Sequence, residues 1–344
     1  MKSRGHRPAP FWLVFALALA ALTAIVAVSF LVGRYAIDPW EAVRIMASRF
    51  IAMEHTWREL DAKVVWEVRW PRTLMAVLVG AALSCSGAVY QGVFRNPLVS
   101  PDILGVSAAA SFGAALAILL SGAFSPLVPS LAFGMGILGV LLAYALARVK
   151  GMTPTIMLVL SGVVVSSIFN AGVSIMKYLA DPEDDLPAIT FWLMGSLSGM
   201  RWENLAFAAP IIVVGLAVLM VITWQLNLLT MGDAEARSLG ANAQRTRLIA
   251  IVCATAMTAT AVSQSGAIGW VGLVIPHMAR ILVGPDHRKL VPIAAVLGAA
   301  FLLTIDSLTR TVSESSLPLS VPTALVGAPF FAILLRRSKG VWTR

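Results

Sequence analysis

Eight charge-free apolar runs dominate this chain: Phe11–Gly33, Thr73–Phe94, Ile103–Ala147, Gly151–Met176, Leu205–Gly232, Leu248–Ala279, Leu290–Ile305 and Ser315–Leu335. About 20 apolar residues carry a helix across the hydrocarbon core. Inside a bilayer the backbone must satisfy its own hydrogen bonds, so such runs form helices. Two runs are too long for one crossing: glycine and proline break Ile103–Ala147 at Gly122 to Pro129, and Leu248–Ala279 at Gly266 to Gly269. The sequence therefore predicts an all-α polytopic membrane protein with ten spans, forming one transmembrane domain over residues 1–344. Hydrophobic residues make up 58% and charged residues 12%, a balance that leaves no room for a soluble domain.

An even number of spans puts both termini on one side, and the basic residues choose it. With the N-terminus inside, the inner pieces (1–10, 95–102, 148–150, 233–247, 280–289 and 336–344) carry 16 Lys/Arg and 4 Asp/Glu, leaving 10 Lys/Arg and 13 Asp/Glu outside. That asymmetry is the positive-inside pattern, so both termini are expected in the cytoplasm. It accounts for most of the net charge of +9, and no nucleic-acid partner is needed to explain it. The first run is longer than the h-region of a cleaved secretory signal, which predicts a retained first helix. Cys85 and Cys253 both lie in apolar spans and read as small buried residues; no metal site or disulfide follows from them.

Two outer segments stand out. Residues 34–72 are rich in tryptophan and mixed charge and are expected to form a short surface helix. Residues 177–203 hold the acidic cluster Asp181, Glu183, Asp184 and Asp185, then an apolar FWLMGSL too short to span. This second segment reads as a re-entrant or interfacial helix, or as a loop anchored at the headgroups by Trp192 and Trp202.

No G-K-[ST] phosphate loop and no H-E-x-x-H metal motif occurs anywhere in the sequence. The spans hold almost no carboxylates, Asp306 being the exception. Ion-coupled carriers usually place such groups, or unwound polar helices, at mid-membrane. A stand-alone carrier is therefore disfavoured, a membrane hydrolase more so, and the energy for transport is expected from another subunit.

The stretch Ser263–Arg288 contains the break Gly266 to Gly272, then Pro276, His277 and Arg280. Irregular backbone and ionisable groups at this depth must face protein or water, not lipid. The longest inner connection falls within residues 227–247. There Asp233 reads as the N-cap of a one- or two-turn helix, Gly240 suits its C′ position, and a second short helix can begin near Asn242. Small residues, Ala236 among them, would let a partner approach closely.

These segments carry a resemblance. G266-A-I-G-W-V-G272-L-V-I-P276-H277-M-A-R280 resembles the G-x-I-x-F-x-G-L-x-x-P-H-x-x-R signature of permeases that import iron-siderophores, haem and vitamin B12, the FecCD type, with Trp270 where Phe is usual. Arg69-Trp70-Pro71-Arg72, Gly80 and Gly87 with Gln91, Asn96-Pro97-Leu98, Gly232-Asp233-x-x-Ala236-x-x-Leu239-Gly240, Asp286-His287-Arg288, Asp306 with Arg310, and Gly327-Ala328-Pro329 follow in the family's order. One departure is Ser316 and Ser320, where the family often has Glu and Gly. The resemblance implies the permease fold of type II ABC importers and a metal-chelate substrate, an iron(III)-siderophore first, with haem, cobalamin and molybdate or tungstate as alternatives. It implies a homodimer in a bacterial or archaeal inner membrane, two ATPase subunits that bind ATP and Mg, and a substrate-binding protein; this chain itself would hold no cofactor or metal and no catalytic residue. By the same resemblance Gly232, Asp233, Ala236, Leu239 and Gly240 couple to the ATPase. Asn96, Pro97, Leu98 and Thr155 form the inner gate, although Asn96 also reads as a helix cap. Arg69, Arg72 and Arg310 dock the binding protein; alternatively the first two anchor a span at the headgroups and Arg310 pairs with Asp306.

Overall fold

The computed structural model describes residues 10–33, 35–49, 51, 53–148, 153–312 and 317–338; Ser316 lies outside them. In chain order the helices are α1 (Phe11–Leu31), α2 (Pro39–Ala47), α3 (Glu59–Lys63), α4 (Trp70–Val93), α5 (Val106–Ser121), α6 (Leu127–Ala147), α7 (Thr155–Leu179), α8 (Asp185–Met194), α9 (Trp202–Val221), α10 (Thr223–Met231), α11 (Asp233–Ser238), α12 (Ala243–Ser265), α13 (Val271–Val283), α14 (His287–Val312) and α15 (Ser320–Ser338). Among the described residues seven helical stretches are long and apolar enough to cross a membrane, and three shorter apolar helices accompany them: α5, α13 and the Ser320–Ile333 part of α15. Both expected breaks are present, between α5 and α6 and between α12 and α13.

Three boundaries differ from the apolar runs. The second span begins at Glu59, well before Thr73, because α3, a π-helical turn over Val64–Arg69 and α4 form one continuous helix. The wide turn lies directly ahead of Pro71, whose ring would clash with the carbonyl four residues back in a regular helix. The surface helix expected in residues 34–72 is the shorter α2, capped by Asp38, whose carboxylate accepts from Trp40 and Glu41 N–H. The run Leu205–Gly232 is two helices, since the chain leaves helical geometry at Ile222 (φ −89°, ψ 9°). The piece α10 is therefore separate from the α9 span.

The helix α4 is the spine, packed against α12, α13 and α14. What lets it approach them so closely is paired glycine. A Cβ on Gly80 would lie 2.2 Å from Gly298 O, and one on Gly298 would lie 2.3 Å from Gly80 O; a Cβ on Gly87 would meet Gly272 O at 1.8 Å. Lipid tails are as apolar as leucine, so helix association in a bilayer rests on this kind of backbone-close packing. Serines complete the contacts: Ser84 Oγ donates to Ala294 O and Ser86 Oγ to Ala254 O. Around this centre α1, α7 and α9 expose leucine, valine and isoleucine on most of their turns, the faces left for lipid or for another chain.

Candidate functional site

Among the described residues the charged side chains of the spans gather at two ends, with Arg69, Arg72, Asp306 and Arg310 at one and Arg280 at the other, leaving an apolar middle. From Arg72 to Gly92 the spine rises about 30 Å between them.

At the first end three arginines meet. Arg72 Nη2 lies 2.8 Å and Arg310 Nε 3.1 Å from the carboxylate of Asp306, which is 0% exposed. Arg69 donates to the carbonyls of Phe30 and Tyr35. All three line a cavity of about 260 Å³ together with Tyr35 and Ser198. Arg72 and Arg310 thus share one carboxylate while Arg69 bonds only backbone carbonyls, and the cavity the three line has an excess of positive charge. Arg310 pairs with Asp306, one of its two readings, and lines the same cavity as Arg69 and Arg72. Headgroup anchoring of Arg69 and Arg72 does not fit, because both side chains turn inward.

Next to this end, the break between α12 and α13 is closed by the short helix α8 and the Gly195–Ser196 segment that follows it. Ser196 N–H donates to Ser265 O at 2.8 Å, and Leu319 N–H donates to Gly195 O at 2.9 Å. Gly266 passes so close to α8 that an added Cβ would sit 2.2 Å from Trp192 O. Irregular backbone at membrane depth is tolerated when protein satisfies it in this way. Of the two readings of residues 177–203, a short helix is therefore the one found. Within α13 Gly272 and Pro276 are buried and His277 is half-buried; Gly272 is held against Pro101 and Leu83 O.

At the opposite end α4 stops in a Schellman turn. Asn96 N–H donates to Gln91 O and Arg95 N–H to Gly92 O, with Arg95 at φ 50°. The Asn96 side chain does not cap a helix; its Oδ1 accepts from Leu98 N–H at 2.9 Å and shapes the Asn96-Pro97-Leu98 turn. Asn96 and Leu98 are exposed, and Thr155 begins α7 at the same end. Behind the turn, Arg280 Nη2 donates to Gln91 Oε1 at 3.0 Å, while Gln91 Nε2 reaches the carbonyls of Val99 and Leu273. The arginine of the P-H-x-x-R motif therefore braces the loop after α4.

The connecting segment corrects several expectations. Asp233 is not the N-cap: Gly232, at φ 132°, holds that position, and the Asp233 carboxylate bonds Arg247 Nη2 at 2.7 Å. Gly240 sits at φ 81° after the C-cap Leu239, the C′ geometry expected. Asn242 is indeed an N-cap, accepting from Arg245 N–H, but the helix it starts is the long α12 and not a second short one. Ala236 is 0% exposed, packed into this chain, so it offers nothing to a partner. Gly232 is buried too, whereas Leu239 is 58% exposed and Gly240 is exposed beside it.

The sequence reading passed over Asn227, on α10. Its Oδ1 accepts from His287 N–H at 2.8 Å and contacts His287 Nδ1 at 2.9 Å, and its Nδ2 donates to Asp286 Oδ1 at 2.6 Å. Burial works against the Asp286 charge, but the Asn227 amide, the Arg288 N–H and the nearby Arg288 and Lys289 cations outweigh it and hold the carboxyl below its ordinary value. An amide inside the apolar run Leu205–Gly232 was the signal available in the sequence.

The profile of the FecCD transport family matches residues 20–337. The molybdate import system permease protein MolB of Haemophilus influenzae is 37% identical over 322 residues, covering 93% of this chain and 94% of that one. The Fe(3+) dicitrate transport system permease protein FecD of Escherichia coli is 41% identical over 278 residues, covering 80% and 86%. A solved structure described as an inward-facing conformation of a metal-chelate type ABC transporter superposes with a TM-score of 0.84 at 35% identity, over 94% of this chain and 99% of that one.

Proposed function

The chain belongs to the FecCD transport family, and from that membership we propose that two copies of it line the substrate path of a binding-protein-dependent importer driven by two separate ATPase subunits. It is a multi-pass membrane permease of the type II ABC importer fold. The observation that carries the proposal is the division of the molecule: a cationic cavity at one end, an exposed Leu239–Gly240 turn at the other, and an apolar interior between them. An ion-coupled carrier would need ionisable or unwound polar groups at mid-membrane. A permease worked from outside itself needs only docking surfaces and a gate.

In this reading the Leu239–Gly240 turn enters a cleft of the ATPase, with ATP and Mg held there and no cofactor in this chain. Asn96, Pro97 and Leu98, with Thr155, form the inner gate of the dimer. Arg69, Arg72 and Arg310 offer their unbalanced charge to carboxylates of a substrate-binding protein, an attraction that mainly sets encounter rate and register. The protein sits in the inner membrane with both termini in the cytoplasm, as the inner excess of Lys/Arg supports.

The substrate we propose is a metal chelate, an iron(III)-siderophore first, because spans without basic residues in their middle suit a bulky, weakly charged complex. The similarity to the molybdate permease over nearly the whole chain favours molybdate as a second reading. Titrating the purified binding protein of the system with ferric siderophore, haem, cobalamin and molybdate separates these readings. Tight binding of molybdate alone would replace the siderophore.

A further inference from the structure

Resting on the reading that Leu239–Gly240 meets the ATPase, we propose that Asn227 is a positioning residue that carries movement of this segment to the inner end of α4 and so to the gate turn. The argument is one of contacts. The helix α10 leads into α11 through Gly232 alone, so displacement of the Leu239–Gly240 turn is passed to α10. Asn227 then ties α10 to the turn between α13 and α14, engaging the backbone N–H and the ring of His287 through one oxygen and Asp286 through its amide. An oxygen that only accepts fixes the proton on His287 Nδ1. A second tie runs beside it, with the Arg288 guanidinium 4.6 Å from the Trp224 ring centroid.

The far side of His287 rests on α4. A Cβ on Gly92 would lie 2.3 Å from His287 Nε2, so ring and backbone are in direct contact. One residue earlier, Gln91 is gripped by Arg280 of α13. The α13–α14 hairpin therefore holds the last turn of α4 from both of its arms, at Gln91 and Gly92. The next residues along the chain are the Schellman turn and Asn96. Interiors packed this closely shift as units and do not deform smoothly, so α10, the hairpin and the end of α4 move together while Asn227 is intact.

The test uses the assembled permease–ATPase complex with its binding protein in proteoliposomes, reading substrate moved per ATP hydrolysed. Asn227→Asp sets two carboxylates face to face and should cut that ratio about tenfold or more, the scale of a lost charge-assisted hydrogen bond, with ATP turnover retained. Asp286→Asn keeps an acceptor for the Asn227 amide and should stay near the wild-type ratio. The swap Asn227→Asp with Asp286→Asn reverses the donor and acceptor and should recover coupling. A wild-type ratio in Asn227→Asp, or no recovery in the swap, overturns the proposal. If Asn227→Asp does not assemble, the ratio is read on Gly92→Ala, which pushes on His287 from α4, and a wild-type ratio there overturns it equally. Cross-linking of a cysteine at Leu239 to the ATPase is the separate check on the underlying reading: failure to cross-link in the otherwise wild-type complex rejects the coupling site itself, whatever Asn227 does.

Discussion

Arg72 holds Asp306 through two nitrogens, Nη2 at 2.8 Å and Nε at 3.0 Å from the same carboxylate oxygen, across 234 positions of sequence. The pair joins the start of α4 to the last turns of α14, the two helices whose Gly80 and Gly298 touch further along. Arg310 completes the carboxylate from one turn further along α14. Removing the shared carboxylate would leave two arginines facing each other out of water. Breaking a buried pair from one side costs about 3–5 kcal/mol. Asp306→Ala should therefore unfold in detergent at much lower temperature than the wild type or fail to accumulate, whereas Asp306→Leu with both Arg72→Met and Arg310→Met should recover much of the loss. Thermal unfolding of the wild type and the two variants is the measurement.

The same geometry changes how docking at the arginines must be tested. Reversing Arg72 would break the Asp306 network as well as any contact with a binding protein. Salt leaves the fold in place and screens exposed attraction. Stimulation of ATP turnover by the loaded binding protein should fall steeply between low and high salt, with basal turnover little changed. A stimulation indifferent to salt would place the docking face elsewhere.

Leu239→Glu should leave the permease folded, since exposed substitutions usually stay within about 0.5 kcal/mol, and yet lower ATP-driven uptake strongly. Ala236→Glu, five residues after the end of α10, should instead destabilise the protein itself, because a charge would be forced into a fully buried site. Uptake assays paired with thermal unfolding distinguish the two.

Gly80→Ala places a methyl 2.2 Å from the Gly298 carbonyl. The helices must part, which costs about 1–3 kcal/mol or more. Gly134→Ala on α6 meets nothing within 4 Å and should be neutral or stabilising, as alanine favours the helix. Equal melting temperatures for the two variants would contradict the packing described for α4.

A cysteine at position 96 in both copies of the proposed dimer should cross-link to a different extent with and without ATP. Unchanged yield would remove the Asn96 turn from the gate.

Much of this arrangement was legible in the sequence, for reasons particular to membranes. Apolar runs mark helices because the bilayer permits little else, and the breaks at Gly122 and Gly266 were marked by the residues that end helices. The start of the second span was hidden because Glu59, Asp61, Lys63 and Glu67 are charged, although the helix passes straight through them. The partners of Asp306 were half visible: Arg310 follows by one turn, whereas Arg72 is reached only through the fold. The inward face of Ala236 was not legible, since six helical residues are too few for a periodicity to choose a side. Asn227 was missed because its partners lie about 60 residues away.

The central claim is that the chain is a permease worked by a separate ATPase, and uptake into proteoliposomes tests it most directly. The chain reconstituted with its ATPase and loaded binding protein should accumulate substrate only when ATP is supplied on the ATPase side, and should do nothing when the ATPase is omitted. Uptake by the chain alone, driven by a proton or sodium gradient, would contradict it.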